Sequence, residues 1–223
     1  MVSEEEMARE TGILFDLDGT LWDSSEAVVK SWNEVIATLP DFHKQGTVED
    51  MMKLMGKTMD EIAYTYFDTV PKQRALELMD LCTEHENDYI RRHGGILVPR
   101  LEETLEILAD RYLLAIVSNC QKGYIEAFLE YHGLGKYFDD LLDYGTTHLP
   151  KGENIRIVIE RNKLARAYYV GDVEGDRRAA EAAGIPFIHA AYGYGSVPDA
   201  EYRIEAISDL IDILNVSEEG GIV

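Results

Sequence analysis

A short apolar run that passes directly into acid limits this chain more than any other stretch: Ile13-Leu14-Phe15 is followed at once by Asp16-Leu17-Asp18-Gly19-Thr20. An apolar run without polar alternation predicts a strand of a parallel sheet, buried on both faces, that delivers its carboxylates at the C-terminal end. In open α/β sheets that edge is where ligands bind. The pattern recurs. Residues 113–117 read as a strand ending in Ser118-Asn119, and 167–170 as one ending in Gly171-Asp172. Residues 186–191 read as a further strand, and 140–145, with a more mixed pattern, as another. Between them the period becomes helical: Tyr124, Ile125, Phe128 and Leu129 form a stripe running toward Gly133, and 176–184 ends at a glycine in the same way. Strands alternating with helices across 101–214 predict an α/β fold, a doubly wound and mostly parallel sheet.

Residues 24–92 differ, carrying helical patterns and no convincing strand. Ala27, Val28, Trp32, Val35, Ile36 and Leu39 share a face ahead of Pro40, and Asp23 with Glu26 reads as a capping box opening that helix. Thr58 with Glu61 repeats the signature. Pro71 opens a longer pattern through Leu78, Met79, Cys82, Tyr89 and Ile90 that stops at Gly94-Gly95. The expected organisation is an α/β core of residues 1–22 and 95–223 with an all-helical domain, 23–94, inserted after the first strand.

Two carboxylates as close as Asp16 and Asp18 repel one another, and Gly19 frees the backbone to turn beside them. The repulsion is tolerated when a divalent cation lies between them or when the two groups work in different protonation states. Both conditions suit phosphoryl transfer, in which one carboxylate attacks phosphorus while its neighbour protonates the leaving oxygen and later activates water.

The segment Asp16-Leu17-Asp18-Gly19-Thr20-Leu21 resembles the first motif of the haloacid dehalogenase superfamily of phosphohydrolases. Ser118-Asn119 resembles the second, Lys151 the third and Gly171-Asp172-Val173-Glu174-Gly175-Asp176 the fourth, in the family's order, and the likeness spans residues 12–196. The resemblance implies that Asp16 forms an aspartyl-phosphate and Asp18 is general acid and base. Asp16 and Asp172, with the main-chain carbonyl of Asp18, would hold Mg²⁺, supported from behind by Asp176. Ser118, Asn119 and Lys151 would bind the phosphate, and Lys151 would offset charge on the nucleophile. The helical insert resembles the first cap class, placed as in phosphoglycolate phosphatase-like members, and a cap over the strand ends would exclude water and select substrates.

Each piece has a plainer reading. Ser118-Asn119 alone is a turn or helix cap, Lys151 and Lys57 are solvated lysines, and Asp23 caps a helix. An EF-hand fails because Gly19 as position six puts Leu14 at position one. The four motifs together, in order, favour the site. Gly152 and Cys120 depart from the family, where proline and lysine are frequent, but neither replaced residue carries chemistry there. An acidic residue at Asp18 argues against a dehalogenase. Lys57, beside Gly56 in a loop of the helical insert, is a possible substrate contact. His43 and His148 read as surface residues and Cys120 as packing.

Composition narrows the partners. A formal charge of −21 and a pI near 4.5 exclude most nucleic-acid polymer binding, while a small phosphorylated metabolite remains compatible with a locally positive site. No apolar run approaches the roughly 18 residues of a membrane span. Residues 1–10 read as a short frayed leader without secretory features, and 217–223 as a mobile tail. Cys82 and Cys120 are the only cysteines, which suits a cytoplasmic location. No sequence feature sets the oligomeric state. The expected function is a Mg²⁺-dependent phosphatase for phosphoglycolate, a sugar phosphate or a nucleoside monophosphate. The alternatives are a sugar phosphomutase and a noncatalytic phosphate-ligand-binding module.

Overall fold

The computed structural model describes residues 10–220. The expected leader lies outside them except for Glu10, as does the tail beyond Gly220. Strand β1 (Thr11–Phe15) lies near the middle of a six-stranded sheet. On one side it pairs in parallel with β4 (Leu113–Ser118), which pairs with β5 (Asp140–Asp143). On the other side it pairs with β6 (Arg166–Gly171), followed by β7 (Phe187–Ala190) and β8 (Tyr202–Ile204), all parallel. Strand order therefore reverses at β1, and the crevice beyond its C-terminal end is where such sheets bind ligands. The edge strand β8 carries only three residues, too short to show in the sequence pattern.

Side chains alternate across the sheet as the strand period demands. Ile13 and Phe15 of β1, Leu114 and Ile116 of β4, and Tyr168 and Val170 of β6 face one core. That core is completed by α5 (Leu101–Ala109), α6 (Tyr124–His132) and α10 (Asp209–Gly220). Leu14, Ala115, Val117 and Tyr169 face the other, against α8 (Lys151–Arg161) and α9 (Glu174–Ala183). Burial on both faces explains why these strands read as continuous apolar runs. Gly133 (φ 69°) and Gly184 (φ 77°) end α6 and α9 in the left-handed region, as expected. Because α10 runs to Gly220, the first residues of the expected mobile tail are helical.

Between β1 and β4 the chain forms α1 (Ser25–Ile36), α2 (Val48–Met52), α3 (Met59–Tyr66) and α4 (Lys72–His93). They enclose a separate core in which Trp32, Phe42, Tyr66 and Phe67 meet Leu78 and Cys82. The capping box at Thr58 forms, its backbone N–H donating to Glu61 at 3.0 Å. The one expected at Asp23 does not: α1 starts one residue later, and Asp23 instead accepts from the backbone N–H of Ser25 at 2.9 Å. Leu39 lies beyond α1 yet stays buried.

Where the chain leaves and re-enters the sheet, β2 (Trp22–Asp23) and β3 (Ile96–Leu97) form an antiparallel ribbon. Sequence reasoning missed it, since two-residue strands leave no periodicity. A Cβ on Gly95 would come within 2.7 Å of the Trp22 ring, so the glycine lets the return strand lie flat against the indole. No helix among the described residues is long and apolar enough to cross a membrane.

Candidate active site

β1 ends at Phe15, and the Asp16 N–H continues its ladder by donating to the Val170 carbonyl at 2.8 Å. The chain then tightens, with Leu21 N–H on the Leu17 carbonyl at 2.9 Å, and Gly19 at φ 80° completes the turn. A Cβ on Gly19 would lie 2.4 Å from Asp172 Oδ2, so this glycine serves a close approach as well as a backbone angle. The turn aims both Asp16 and Asp18 into one recess.

Lys151, the first residue of α8, reaches the same recess. Its Nζ lies 2.9 Å from Asp16 Oδ1 and 2.6 Å from Asp176 Oδ1, with all three side chains buried. Burial opposes its charge, yet the Asp16 and Asp176 carboxylates hold the ammonium well above its usual pKa. Gly152 after it lets α8 approach α9, since a Cβ there would meet the Ala179 carbonyl at 3.0 Å. Asp176 spends its second oxygen on the backbone N–H groups of Asp172 and Val173, both at 3.1 Å, and so caps α9.

Asp172 follows β6 and is almost wholly buried. Its Oδ2 accepts from the Tyr194 N–H at 2.7 Å and the Gly195 N–H at 3.3 Å. Sequence reasoning missed this loop, although Gly193-Tyr194-Gly195 just after a strand was the available signal: a Cβ on Gly193 would lie 2.3 Å from that of Asp172. Burial, then the Asp176 charge, raise the pKa of both Asp16 and Asp172, against the pull of Lys151. Asp16, Asp172 and Asp176 bring carboxylate oxygens within 4.8 Å of one another. One ammonium does not balance that charge, and hard oxygen donors without His or Cys suit a divalent cation such as Mg²⁺. Asp176 is already engaged by Lys151 and two N–H groups, which leaves Asp16 and Asp172 with free oxygens.

Asp18 is held from two sides, by Ser24 Oγ at 2.5 Å and Tyr124 OH at 3.0 Å, both donating to its Oδ1. Burial raises its pKa, and those two hydroxyls work against the rise. Neither Ser24 nor Tyr124 was among the expected site residues; a serine so soon after the acidic turn was the only hint. Ser118 ends β4 and is buried beside the Cys120 thiol, whose pKa burial pushes well up, in keeping with a packing role. Asn119 Nδ2 donates to the Gly56 carbonyl at 2.9 Å, tying the strand end to the loop after α2, and its Oδ1 is buried without a partner. Lys57 comes next in that loop and borders the same recess. Asp23 accepts from Tyr194 OH at 2.7 Å and stays outside it. His43 and His148 are exposed, as expected.

The recess is a cavity of about 50 Å³, room for a few water-sized groups, roofed by the helical insert. Its far wall is largely apolar, with Val28, Leu54, Met59 and Ile62. One charged residue interrupts it. Glu86 of α4 accepts from Trp32 Nε1 and, at 2.9 Å, from Gln121 Nε2. It falls on the stripe Leu78, Cys82, Glu86, Ile90, and a carboxylate on an otherwise apolar helix face was a legible signal that sequence reasoning passed over.

The model of the haloacid dehalogenase-like hydrolases matches residues 13–190, most of the chain. The chain belongs to that family. A haloacid dehalogenase-like hydrolase of this kind is an enzyme, a phosphatase of the phosphoglycolate phosphatase-like group. It is 27% identical to a phosphoglycolate phosphatase of Vibrio parahaemolyticus, covering 92% of this chain and 96% of the relative. It is also 27% identical to the pyrophosphatase PpaX of Oceanobacillus iheyensis, over 92% and 97% of the two chains. The haloacid dehalogenase-like family protein SP0104 of Streptococcus pneumoniae superposes with a TM-score of 0.79 at 20% identity, covering 93% and 99%, which shows a shared fold.

Proposed function

We propose that the protein hydrolyses a small phosphomonoester through an aspartyl-phosphate on Asp16, with Mg²⁺ as cofactor. The observation that supports this most is the Lys151 ammonium bridging Asp16 and Asp176 at 2.9 and 2.6 Å, beside Asp172 and within one recess with Asp18. An Asp16 oxygen forms the bond to phosphorus as the ester P–O bond breaks, and Asp18 gives its proton to the departing alkoxide. Asp18 then takes a proton from water, whose oxygen attacks phosphorus and frees the Asp16 carboxylate and inorganic phosphate. Lys151, Ser118 and the Asn119 amide carry the charge of the phosphoryl oxygens. Asp16, Asp172 and the Asp18 carbonyl would hold Mg²⁺, which would supply positive charge to offset that of the phosphoryl group. Asp176 keeps Lys151 and the Asp172 backbone in place.

The helical insert, residues 23–94, acts as a cap over the core formed by 1–22 and 95–223. The Asn119–Gly56 hydrogen bond, and Gly56 packed so that a Cβ would lie 3.0 Å from Val173, support a closed arrangement. Lys57, held next to Asn119 by that bond, serves the phosphoryl side of the recess. Buried free cysteines accord with a cytoplasmic setting.

Phosphate release from a panel of phosphorylated metabolites, measured with Mg²⁺ and with chelator, tests the reading. Asp16→Asn should lower kcat by roughly 10³-fold or more; undiminished turnover would refute the nucleophile. Asp18→Asn should slow turnover and let phosphoenzyme accumulate, and an unaltered rate would reject its acid and base role. Conversion of glucose 1-phosphate to glucose 6-phosphate without phosphate release would point to a mutase.

A further inference from the structure

Glu86 is the one carboxyl that the cap contributes to the lining of the recess, and the mechanism above has no use for it. Its side chain is fixed at two points, Trp32 Nε1 on one oxygen and Gln121 Nε2 on the other. Gln121 is itself positioned by a second donation, to Asn87 Oδ1 at 3.2 Å. Each carboxylate oxygen has a further lone pair after accepting one hydrogen bond, so the group is held rigidly and still has acceptor capacity. Val28, Leu54 and Ile62, which line the recess with it, offer nothing polar to take that capacity up. A buried carboxyl is costly to keep, and among packed apolar side chains it counts as a candidate for a role beyond packing.

Its hydrogen-bonded neighbours relate Glu86 to the rest of the recess. Asn119 is tied to Gly56, the residue before Lys57, whereas Glu86 is bonded to Trp32 and Gln121 and shares the lining with Tyr124, whose hydroxyl holds Asp18, the proposed donor to the leaving oxygen. We infer that Glu86 selects the substrate: its carboxyl accepts a hydrogen bond from a hydroxyl or ammonium group on the leaving alcohol of a small phosphomonoester, and it disfavours esters whose alcohol carries a carboxylate. This rests on the phosphatase reading. Glu86 borders that end together with Asp18, and a carboxylate on the alcohol would be desolvated against Glu86. A purely apolar leaving group would displace water from Glu86 without replacing its hydrogen bond.

The test compares kcat/KM with Mg²⁺ for four esters of similar size: glycerol phosphate, phosphoethanolamine, 2-phosphoglycolate and ethyl phosphate. The wild-type protein should favour glycerol phosphate or phosphoethanolamine over the other two by about tenfold or more, and which of those two leads separates hydroxyl from ammonium recognition. Glu86→Gln should shrink that preference, chiefly through KM for the favoured ester, while ethyl phosphate changes little. Preferred turnover of 2-phosphoglycolate by the wild type, abolished in Asp16→Asn, overturns the role of Glu86 and leaves the phosphatase reading intact. An equal loss on all four esters in a Glu86→Gln protein of unchanged melting temperature also overturns it. The wild-type ranking decides alone if the variant fails to fold. No turnover of any ester removes the phosphatase reading and this inference with it.

Discussion

Asp18 and Glu86 are buried carboxyls kept in the same way. Burial raises the pKa of each against hydrogen bonds from its neighbours, Ser24 and Tyr124 on Asp18 and Gln121 and Trp32 on Glu86, which is pushed up to about 7. A carboxyl whose folded pKa exceeds its unfolded value of 4.5 binds more protons in the folded state between those limits. Its contribution to stability is therefore greatest below about pH 4.5, falls as pH rises to about 7, and is level above that. The loss is on the order of 3 kcal/mol. Wild-type stability relative to Glu86→Gln should decline over this window in thermal melts of both proteins at a series of pH values; a constant difference would show that Glu86 does not titrate there. Asp16, Asp18 and Asp172 were legible in the sequence because they follow strands, and Lys151 and Asp176 because of their place in the motif order. Ser24 and Tyr124 were not, because packing between distant segments is what makes them polar members of the site, and Glu86 left only the sign of a carboxylate on an apolar helix face, not the place it occupies.

At the scale of elements, the turn after β1 carries the tightest constraint. Gly19 combines φ 80° with a Cβ position 2.4 Å from Asp172 Oδ2. Gly19→Ala should cost about 1–2 kcal/mol from the backbone angle alone, and it should also displace Asp172. The expected outcome is a lower melting temperature together with a raised Mg²⁺ requirement in the phosphatase assay; a protein less stable but with unaltered Mg²⁺ dependence would separate the two roles. The strands β1, β4 and β6 could be read from sequence because each is covered on both faces. The ribbon β2–β3 and the edge strand β8 could not, since their two or three residues gain their pairing from tertiary placement and carry no period of their own. The Asp23 capping box failed for a similar reason: Asp23 already belongs to the ribbon, which moves the start of α1 onward.

For the whole molecule the net charge of −21 sets the approach of substrate. A phosphate ester diffuses toward a surface whose net charge repels it, and Lys57 and Lys151 are the cations that line the recess. Raising ionic strength from about 0.01 M to about 0.15 M with NaCl shortens the reach of that repulsion from roughly 30 Å to roughly 8 Å. kcat/KM should rise by about twofold or more, with the change in KM; a fall would mean that local attraction by the lysines outweighs the global field. The sign of this charge was plain from composition, but its consequence depends on where the few cations cluster, which only the folded chain decides.

Asp176 has one oxygen on the Lys151 ammonium and the other on the N–H groups that begin α9. A single side chain therefore anchors both a helix and the charge that faces Asp16. Any substitution there must loosen scaffold and chemistry in the same stroke, so variants that trade one for the other have to be sought at some other position.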